Sequence, residues 1–256
     1  MGQTHYETLV NLEATDQLEY RIASTLEERA AAFHLVYRSY LAAGLGEPNH
    51  FQMRVTPYHL LPTSEVFIAV YESDIVFTMT LITDGDAGLP MEYVYPDEVQ
   101  SRRDRGLRLA EVSCLADRRT QFRGFFPVFL RLSRIMVQYG LRQGVDELLV
   151  AVHPKHARFY QRCMEFRPIG EERSYPTVCN NPAIALSLDF HRVERERPPQ
   201  YNTFFGNPLP PEVLEPQPIS PEEIEFFRMI IDPTFRPAPL GPAEVRETAA
   251  VAAIVH

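Results

Sequence analysis

Glu111 lies in Leu107–Leu115, a run that reads as a strand, with its carboxyl facing inward between apolar neighbours. Burial raises a carboxyl's pKa toward the range in which it can take a proton near neutral pH, so Glu111 is a candidate general base, acting through a water. The competing reading is structural: a carboxylate that anchors an arginine such as Arg38 or positions a substrate. Ser113, two residues on, points to the same face at strand period and could hydrogen-bond an amine or a bridging water, or simply pack. Arg38 offers a planar fork that fits a carboxylate, against an equal case for a surface or structural ion pair.

Other chemistries are poorly supplied. Of 25 basic residues one is a lysine, Lys155, so Schiff-base chemistry has a single possible owner and a Walker-type lysine lacks its Gly-rich setting. Cys114, Cys163 and Cys179 form no CxxC pair and are too few for a disulfide framework, which points to a reducing compartment. His153 and His156 are separated by Pro154 with no carboxylate motif nearby, so no metal site is expected; Asp84-Gly85-Asp86 reads as a turn rather than a calcium loop. Cys114 reads more readily as a buried hydrophobe than as a nucleophile.

Charge is uneven. The 256 residues carry a formal charge of -9, yet residues 101–145 hold 10 arginines against Asp104, Glu111 and Asp117. A net-acidic chain is a poor nucleic-acid binder, but Arg102, Arg103, Arg105, Arg108, Arg118, Arg119, Arg123, Arg131 and Arg134 could form a patch for a phosphate or an acidic partner. Scatter over a solvated face, with pairing to the acidic remainder, is the alternative. With 45 % hydrophobic and 23 % charged residues the chain is globular material. No leader pattern and no apolar run near the roughly 20 residues of a membrane span are present, so a soluble, cytoplasmic protein is expected.

The elements that must position these groups follow from periodicity. Glu19 to Ser24 reads as a strand, and Thr25 with Glu28 as a capping box opening a helix that Gly44 ends. Val66 to Tyr71 and Ile75 to Thr83 form an antiparallel pair across Glu72-Ser73-Asp74, and Met91 to Arg105 is a polar excursion before the Glu111 strand. Phe126-Pro127 opens a strong amphipathic helix closed by Gly144; Glu147 to Val152 is a buried strand; His153-Pro154 leads a short helix through Cys163. Thr177 to Phe190 supplies the last strand material, with Asn180-Asn181-Pro182 as a turn, and the core is expected to end near Phe190. Of 22 prolines, 12 fall between Pro198 and Pro242, with one helical island at Pro221 to Ile231. The expected division is an N-terminal segment 1–19, a domain 20–190 and a Pro-rich extension 191–256 that wraps the domain or stays partly disordered.

This order of elements resembles the GNAT acyltransferases, an α/β (α+β) fold with a central mixed, mostly antiparallel sheet flanked by helices. His153-Pro154-Lys155-His156-Ala157-Arg158-Phe159-Tyr160 and Glu165-Phe166-Arg167-Pro168-Ile169-Gly170 look like that family's fourth helix and following strand. Gln121-x-x-Gly124 stands where the family has Q/R-x-x-G-x-G/A, whose backbone N–H groups bind donor phosphates at a helix N-terminus. Where the motif wants a final Gly or Ala this chain has Phe126, with Phe125 beside it, which argues against close approach of a coenzyme A pyrophosphate. Asp84-Gly85, Gly88-Leu89-Pro90, Tyr95-Pro96-Asp97-Glu98-Val99, Arg108 through Ala116 and Val36-Tyr37-Arg38-Ser39-Tyr40 are similar to the N-acyl amino acid synthases of FeeM type, relatives in fold of the acyl-homoserine lactone synthases. The resemblance covers roughly residues 20 to 190, and several short motifs in order carry it.

The resemblance implies an acyltransferase with no bound cofactor, moving a medium- or long-chain fatty acyl group from an acyl-phosphopantetheine donor to an amino acid's α-amine. Acyl carrier protein is the expected donor and partner, docking on the basic segment 101–134; acyl-CoA is the alternative. Arg118, Arg119, Gln121, Arg123 and Gly124 would hold the donor phosphate. Leu115 and Ala116 N–H groups would stabilise the oxyanion if the strand is splayed or bulged there. Tyr160 would protonate the leaving thiolate, against a plain packing role. Phe122, Phe125, Phe126 and Phe129 would line an acyl tunnel or pack in the core. A coenzyme A dependent acetyltransferase acting on a small amine is the rival reading. An acyl-homoserine lactone synthase fits less well in a chain without Trp. A catalytically silent binding module with the Pro-rich extension as its arm is the reading from a different class.

Overall fold

Thr25 separates strand β1 (Glu19–Ile22) from helix α1 (Leu26–Ala42), and its Oγ1 accepts the Glu28 N–H at 3.3 Å. Glu28 reaches back one residue further than a capping box requires, accepting the Ser24 N–H at 2.8 Å and the Arg21 guanidinium at 2.6 Å. The computed structural model describes residues 18–118 and 125–231. Strands β2 (Ser64–Tyr71) and β3 (Asp74–Thr83) meet at Glu72 and Ser73, whose φ values of 47° and 72° give the turn that matches strand twist. Both strands are buried on both faces because their side chains alternate between two helices. Phe67, Ala69, Phe77 and Met79 pack under the long helix described below, while Val66, Ile68 and Ile82 pack on the α1 side with Ala32 and Phe33.

The stretch read as a polar excursion contains helix α2 (Pro96–Arg103), which opens on Pro with Asp97 and Glu98 in its first turn and ends on Arg102 and Arg103. The charges complement the helix dipole, a signal that a search for apolar periodicity passes over. After it come β4 (Leu109–Asp117), α3 (Phe125–Arg142), β5 (Glu147–Val152), α4 (Pro154–Cys163), β6 (Arg167–Pro168), β7 (Arg173–Tyr175) and β8 (Asn181–Asp189). They complete an eight-stranded sheet in the order β1-β2-β3-β4-β5-β8-β6, with β7 also on β8. Every pairing is antiparallel except β4 with β5. The last turn falls at Cys179 and Asn180, φ 55° and 58°, so Asn181 and Pro182 already belong to β8.

The core does not stop at Phe190. Helices α5 (Phe190–Glu196) and α6 (Tyr201–Phe204) bring Phe190, Val193, Phe204 and then Leu214 into the cluster beneath α3. Helix α7 (Pro221–Arg228), capped by Ser220 and Glu223 in a full capping box, buries Phe227, and Ile230 just beyond the helix is buried in the same cluster on the α1 side.

The described arginines of segment 101–134 do not form an open basic patch. Arg102 and Arg105 hold Glu147, both at 2.8 Å; Arg103 holds Asp84 and Glu92; Arg108 faces Asp146 at 3.6 Å; Arg118 holds Asp74 at 2.6 Å. Arg131 lies 5.8 Å from the centre of the Tyr20 ring, and Arg134 donates to the carbonyls of Gly206 and Asn207. Folding brings the acids of the flanking sequence onto this segment, the outcome that sequence order alone left open against a free patch. No helix among the described residues is long and apolar enough to cross a membrane, and no group of metal-ligating side chains occurs among them.

Candidate active site

β4 and β5 pair only from Leu109 opposite Glu147 to Glu111 opposite Leu149, and then part. On its other edge β4 has a bulge. Thr80 faces Ser113 and Thr78 faces Ala116, so Cys114 and Leu115 have no register partner on β3, and Cys114 takes φ 52°. The parted strands open a cavity of about 860 Å³ lined by Glu111 to Leu115 on β4 and Val150 to Val152 on β5. Such a volume lies toward the upper end of small-molecule sites.

Glu111 is 3 % exposed and its Oε2 accepts the Met91 N–H at 2.8 Å. Burial pushes its pKa up to about 8; Glu92 nearby pushes the same way and the Met91 hydrogen bond pulls against both. A carboxyl of that pKa is partly ionised at neutral pH, as a base for an ammonium or an amine must be. The loop that delivers Met91 is clamped from α2. Arg103 forks onto both oxygens of Asp84 at 2.7 Å and reaches Glu92 at 2.7 Å, and Glu92 accepts the Leu89 N–H at 2.6 Å. Gly88 takes φ 70°, a left-handed conformation that favours glycine, and the Glu92 carboxylate occupies the space a Cβ would fill.

Ser113 lines the cavity on the same side as Glu111, and its hydroxyl donates to the Cys114 sulfur at 3.6 Å. Cys114 is buried and burial raises its thiol pKa, so it is a neutral packing group. Leu115 lies in the bulge and on the cavity wall; Ala116 is back in register with Thr78 and off the wall. Tyr160 enters from α4, with burial pushing its phenol up to about 12, so it stays a proton donor. Its ring stands edge-on to Phe129 and Phe159. Phe125 and Phe129 line the cavity and stack at 5.6 Å; Phe126 is off the cavity wall, exposed, and packs on Phe159.

Arg38 faces solvent on α1 and is not a cavity residue. Two cations line the cavity, Lys155 exposed at the start of α4 and Arg54, which is buried at 7 % exposure, donates to the Thr177 carbonyl at 2.8 Å and has its guanidinium 5.0 Å from the centre of the Tyr40 ring. Tyr40, Thr56 and Tyr175 complete that end, and burial raises both phenols. Tyr40 stands in the segment Val36-Tyr37-Arg38-Ser39-Tyr40 with no role assigned to it; Arg54 and Thr56 sit between Pro48 and Pro62, where no long regular element is legible, and Tyr175 ends a strand of three residues. The faint signal was the alternation Met53-Arg54-Val55-Thr56. Arg118 is taken by Asp74 and stands off the cavity; Arg119, Gln121, Phe122, Arg123 and Gly124 lie outside the described residues.

A mixed sheet parted between two parallel strands, bulged beside a buried glutamate and flanked by α3 and α4, defines a GNAT-like acyltransferase. The chain belongs to the N-acyl amino acid synthase FeeM family, whose model matches residues 31–189. Among solved structures, FeeM, an N-acyl amino acid synthase from uncultured soil microbes, is 29 % identical with a TM-score of 0.64, covering 72 % of this chain and 96 % of its own. The acyl-homoserine lactone synthase LasI shares the fold at 12 % identity and TM-score 0.55, covering 75 % of this chain and 96 % of its own. The CoA-dependent synthase BjaI shares it at 15 % and 0.51, covering 71 % and 91 %. The curated proteins yield no match.

Proposed function

We propose that the protein joins a medium- or long-chain acyl group, delivered on phosphopantetheine by acyl carrier protein, to the α-amine of an amino acid. The observation that carries this reading is the single cavity in which a buried glutamate, an unpaired bulge, a guanidinium and an aromatic wall converge. In it Glu111 takes the amine's proton, directly or through a water held with Ser113, as the nitrogen attacks the thioester carbonyl. The N–H of Leu115, in the bulge and on the cavity wall, donates to the oxyanion, the role that Ala116, back in register, does not share. Tyr160 protonates the departing thiolate. Arg54 forks onto the acceptor's carboxylate in the role first sought for Arg38, and Phe125, Phe129 and Phe159 border the acyl chain.

Acyl carrier protein is preferred to coenzyme A because of Phe125 and Phe126 at the start of α3, and because α4 carries an exposed stripe of Lys155, at the edge of the cavity, Arg158 and Arg162. None of these three is in an ion pair among the described residues, and the inner face of the same helix lines the cavity. An acidic carrier meeting that stripe would bring its prosthetic arm to the opening. Arg119, Gln121, Arg123 and Gly124 remain the proposed phosphate ligands.

Mass spectrometry of lipid extracts from cells expressing the wild type and Glu111→Gln tests the reading. New N-acyl amino acid masses present only with the wild type support it and name both substrates. Wild-type extracts without such masses, together with purified protein that binds neither acyl carrier protein nor coenzyme A, would overturn it in favour of a binding module.

A further inference from the structure

The segment that follows Leu209 lies beyond residues 31–189, the stretch matched by the family model, yet it reaches the back of the cavity wall that carries Arg54. Val55 pairs in parallel with Ile231. Flanking Val55, Arg54 and Thr56 line the cavity, while Val55 itself is fully buried on the opposite side in the cluster that holds Phe33, Phe227 and Ile230. Behind the wall the contacts run in series. Phe227 of α7 meets Phe33 edge-on at 5.0 Å, and Phe33 meets His59 at 4.5 Å. The Phe33 carbonyl accepts the Arg54 N–H at 3.1 Å, and His59 Nδ1 accepts the Thr56 N–H at 2.9 Å. Each backbone N–H flanking Val55 is thus held by a group in this aromatic series.

α7 is itself fixed to the domain. Arg29 on α1 pairs with Glu223 at 2.5 Å, both buried, and also donates to the Gln217 carbonyl at 2.5 Å. Glu65 on β2 accepts the Gln217 N–H at 3.0 Å and the Tyr139 hydroxyl at 3.2 Å.

We infer that residues 214–231 form a positioning element for the acceptor site, with Phe227 and Ile231 holding Arg54 and Thr56 at the cavity wall. The inference rests on the reading of Arg54 as the residue that meets the amino acid's carboxylate. It separates two halves of the reaction: the aromatic wall for the acyl chain comes from α3 and α4, whereas the acceptor wall is supported by the C-terminal segment.

The test is Phe227→Ala in the full chain, compared with Phe227→Leu. A misplaced guanidinium is expected to raise the KM for the amino acid about tenfold or more, while the acyl donor's KM and amine-independent donor hydrolysis stay within about twofold. Phe227→Leu restores most of the loss, and hydrogen exchange at the amides of Arg54 and Thr56 quickens in the order wild type, Leu, Ala. Donor and acceptor KM rising together, or an unchanged acceptor KM, overturns the inference. If Phe227→Ala does not fold, Phe227→Leu decides alone: a two- to threefold rise in acceptor KM with faster exchange supports the positioning role, and neither change refutes it. Exchange is read without substrate, so a wild type that acylates no amino acid refutes the acyltransfer reading. Unchanged exchange in the variants refutes the positioning element alone.

Discussion

At the scale of single residues, Glu111 has the most sharply defined consequences. Its raised pKa predicts an ascending limb in the pH profile of kcat/KM with a midpoint near 8, flat above it. The limb should stay in place when the acceptor is exchanged for one with a less basic amine, which assigns it to the enzyme rather than to the nucleophile. Glu111→Gln should lower kcat by about 10²- to 10⁴-fold and remove the limb. Stability carries the same signature with a definite sign. A carboxyl whose pKa is higher folded than unfolded contributes stability that is complete below its ordinary 4.5 and lost as pH rises through about 8. Denaturant titrations at pH 5 and pH 9 should therefore show Glu111→Gln gaining on the wild type at the higher pH. Arg54 and Arg38 make the companion comparison. Arg54→Gln should raise the acceptor KM by about 10- to 100-fold with little change for the donor, and Arg38→Gln should leave both near the wild-type values, as steady-state kinetics would report. Glu111 and Ser113 were legible in sequence because strand period alone puts them on one face. Arg54 was not, because its place depends on Thr177, which lies far along the chain, and on a loop whose path no periodicity encodes.

At the scale of elements, the sheet was read nearly whole. Val66 to Tyr71, Ile75 to Thr83 and Glu147 to Val152 each fall inside a strand of the structure, since a run of β-branched and aromatic residues bounded by polar turns has few other solutions. What escaped was α2, a helix whose sequence PDEVQSRR buries only Val99 and so has no apolar stripe to detect. Its purpose lies in its last turn: Arg103 grips Asp84 and Glu92, and the loop so held presents the Met91 N–H to Glu111. Arg103→Met should therefore act at a distance. With Glu92 no longer neutralised and the loop loosened, the Glu111 pKa moves further up, and the kinetic limb should shift to higher pH rather than vanish. The ion pairs are partly exposed, so the accompanying loss of stability should be about 1–3 kcal/mol in chemical denaturation. A variant that loses activity uniformly across pH would show that the clamp supports only the fold. The bulge is of the same kind: nothing in Ser113-Cys114-Leu115 forces a left-handed Cys114, and its position emerges only when β4 pairs with β3 on one side and parts from β5 on the other.

At the scale of the whole molecule, the described residues hold the stretch matched by the family model, 31–189, and a following segment, as far as Ile231, that packs into the same core. Prolines rule out long regular structure there, which is why the sequence left wrapping and disorder as near equals. The deciding groups are polar and distant: Arg29 reaches Glu223 and Gln217, and no local pattern pairs residues so far apart in the chain. Arg29 and Glu223 are almost fully buried, so removing one partner strands a charge in the interior, which costs about 3–5 kcal/mol, whereas removing both leaves an apolar contact that can be nearly neutral. Glu223→Met should thus lower the unfolding free energy by about that amount, and Arg29→Met with Glu223→Met should recover most of it. Equilibrium unfolding of the four members of that cycle measures the coupling directly. A coupling near zero would mean that α7 is held by Phe227 and its apolar neighbours alone. A large coupling would mean that this buried pair anchors the segment from which Phe227 and Ile231 reach the stretch carrying Arg54.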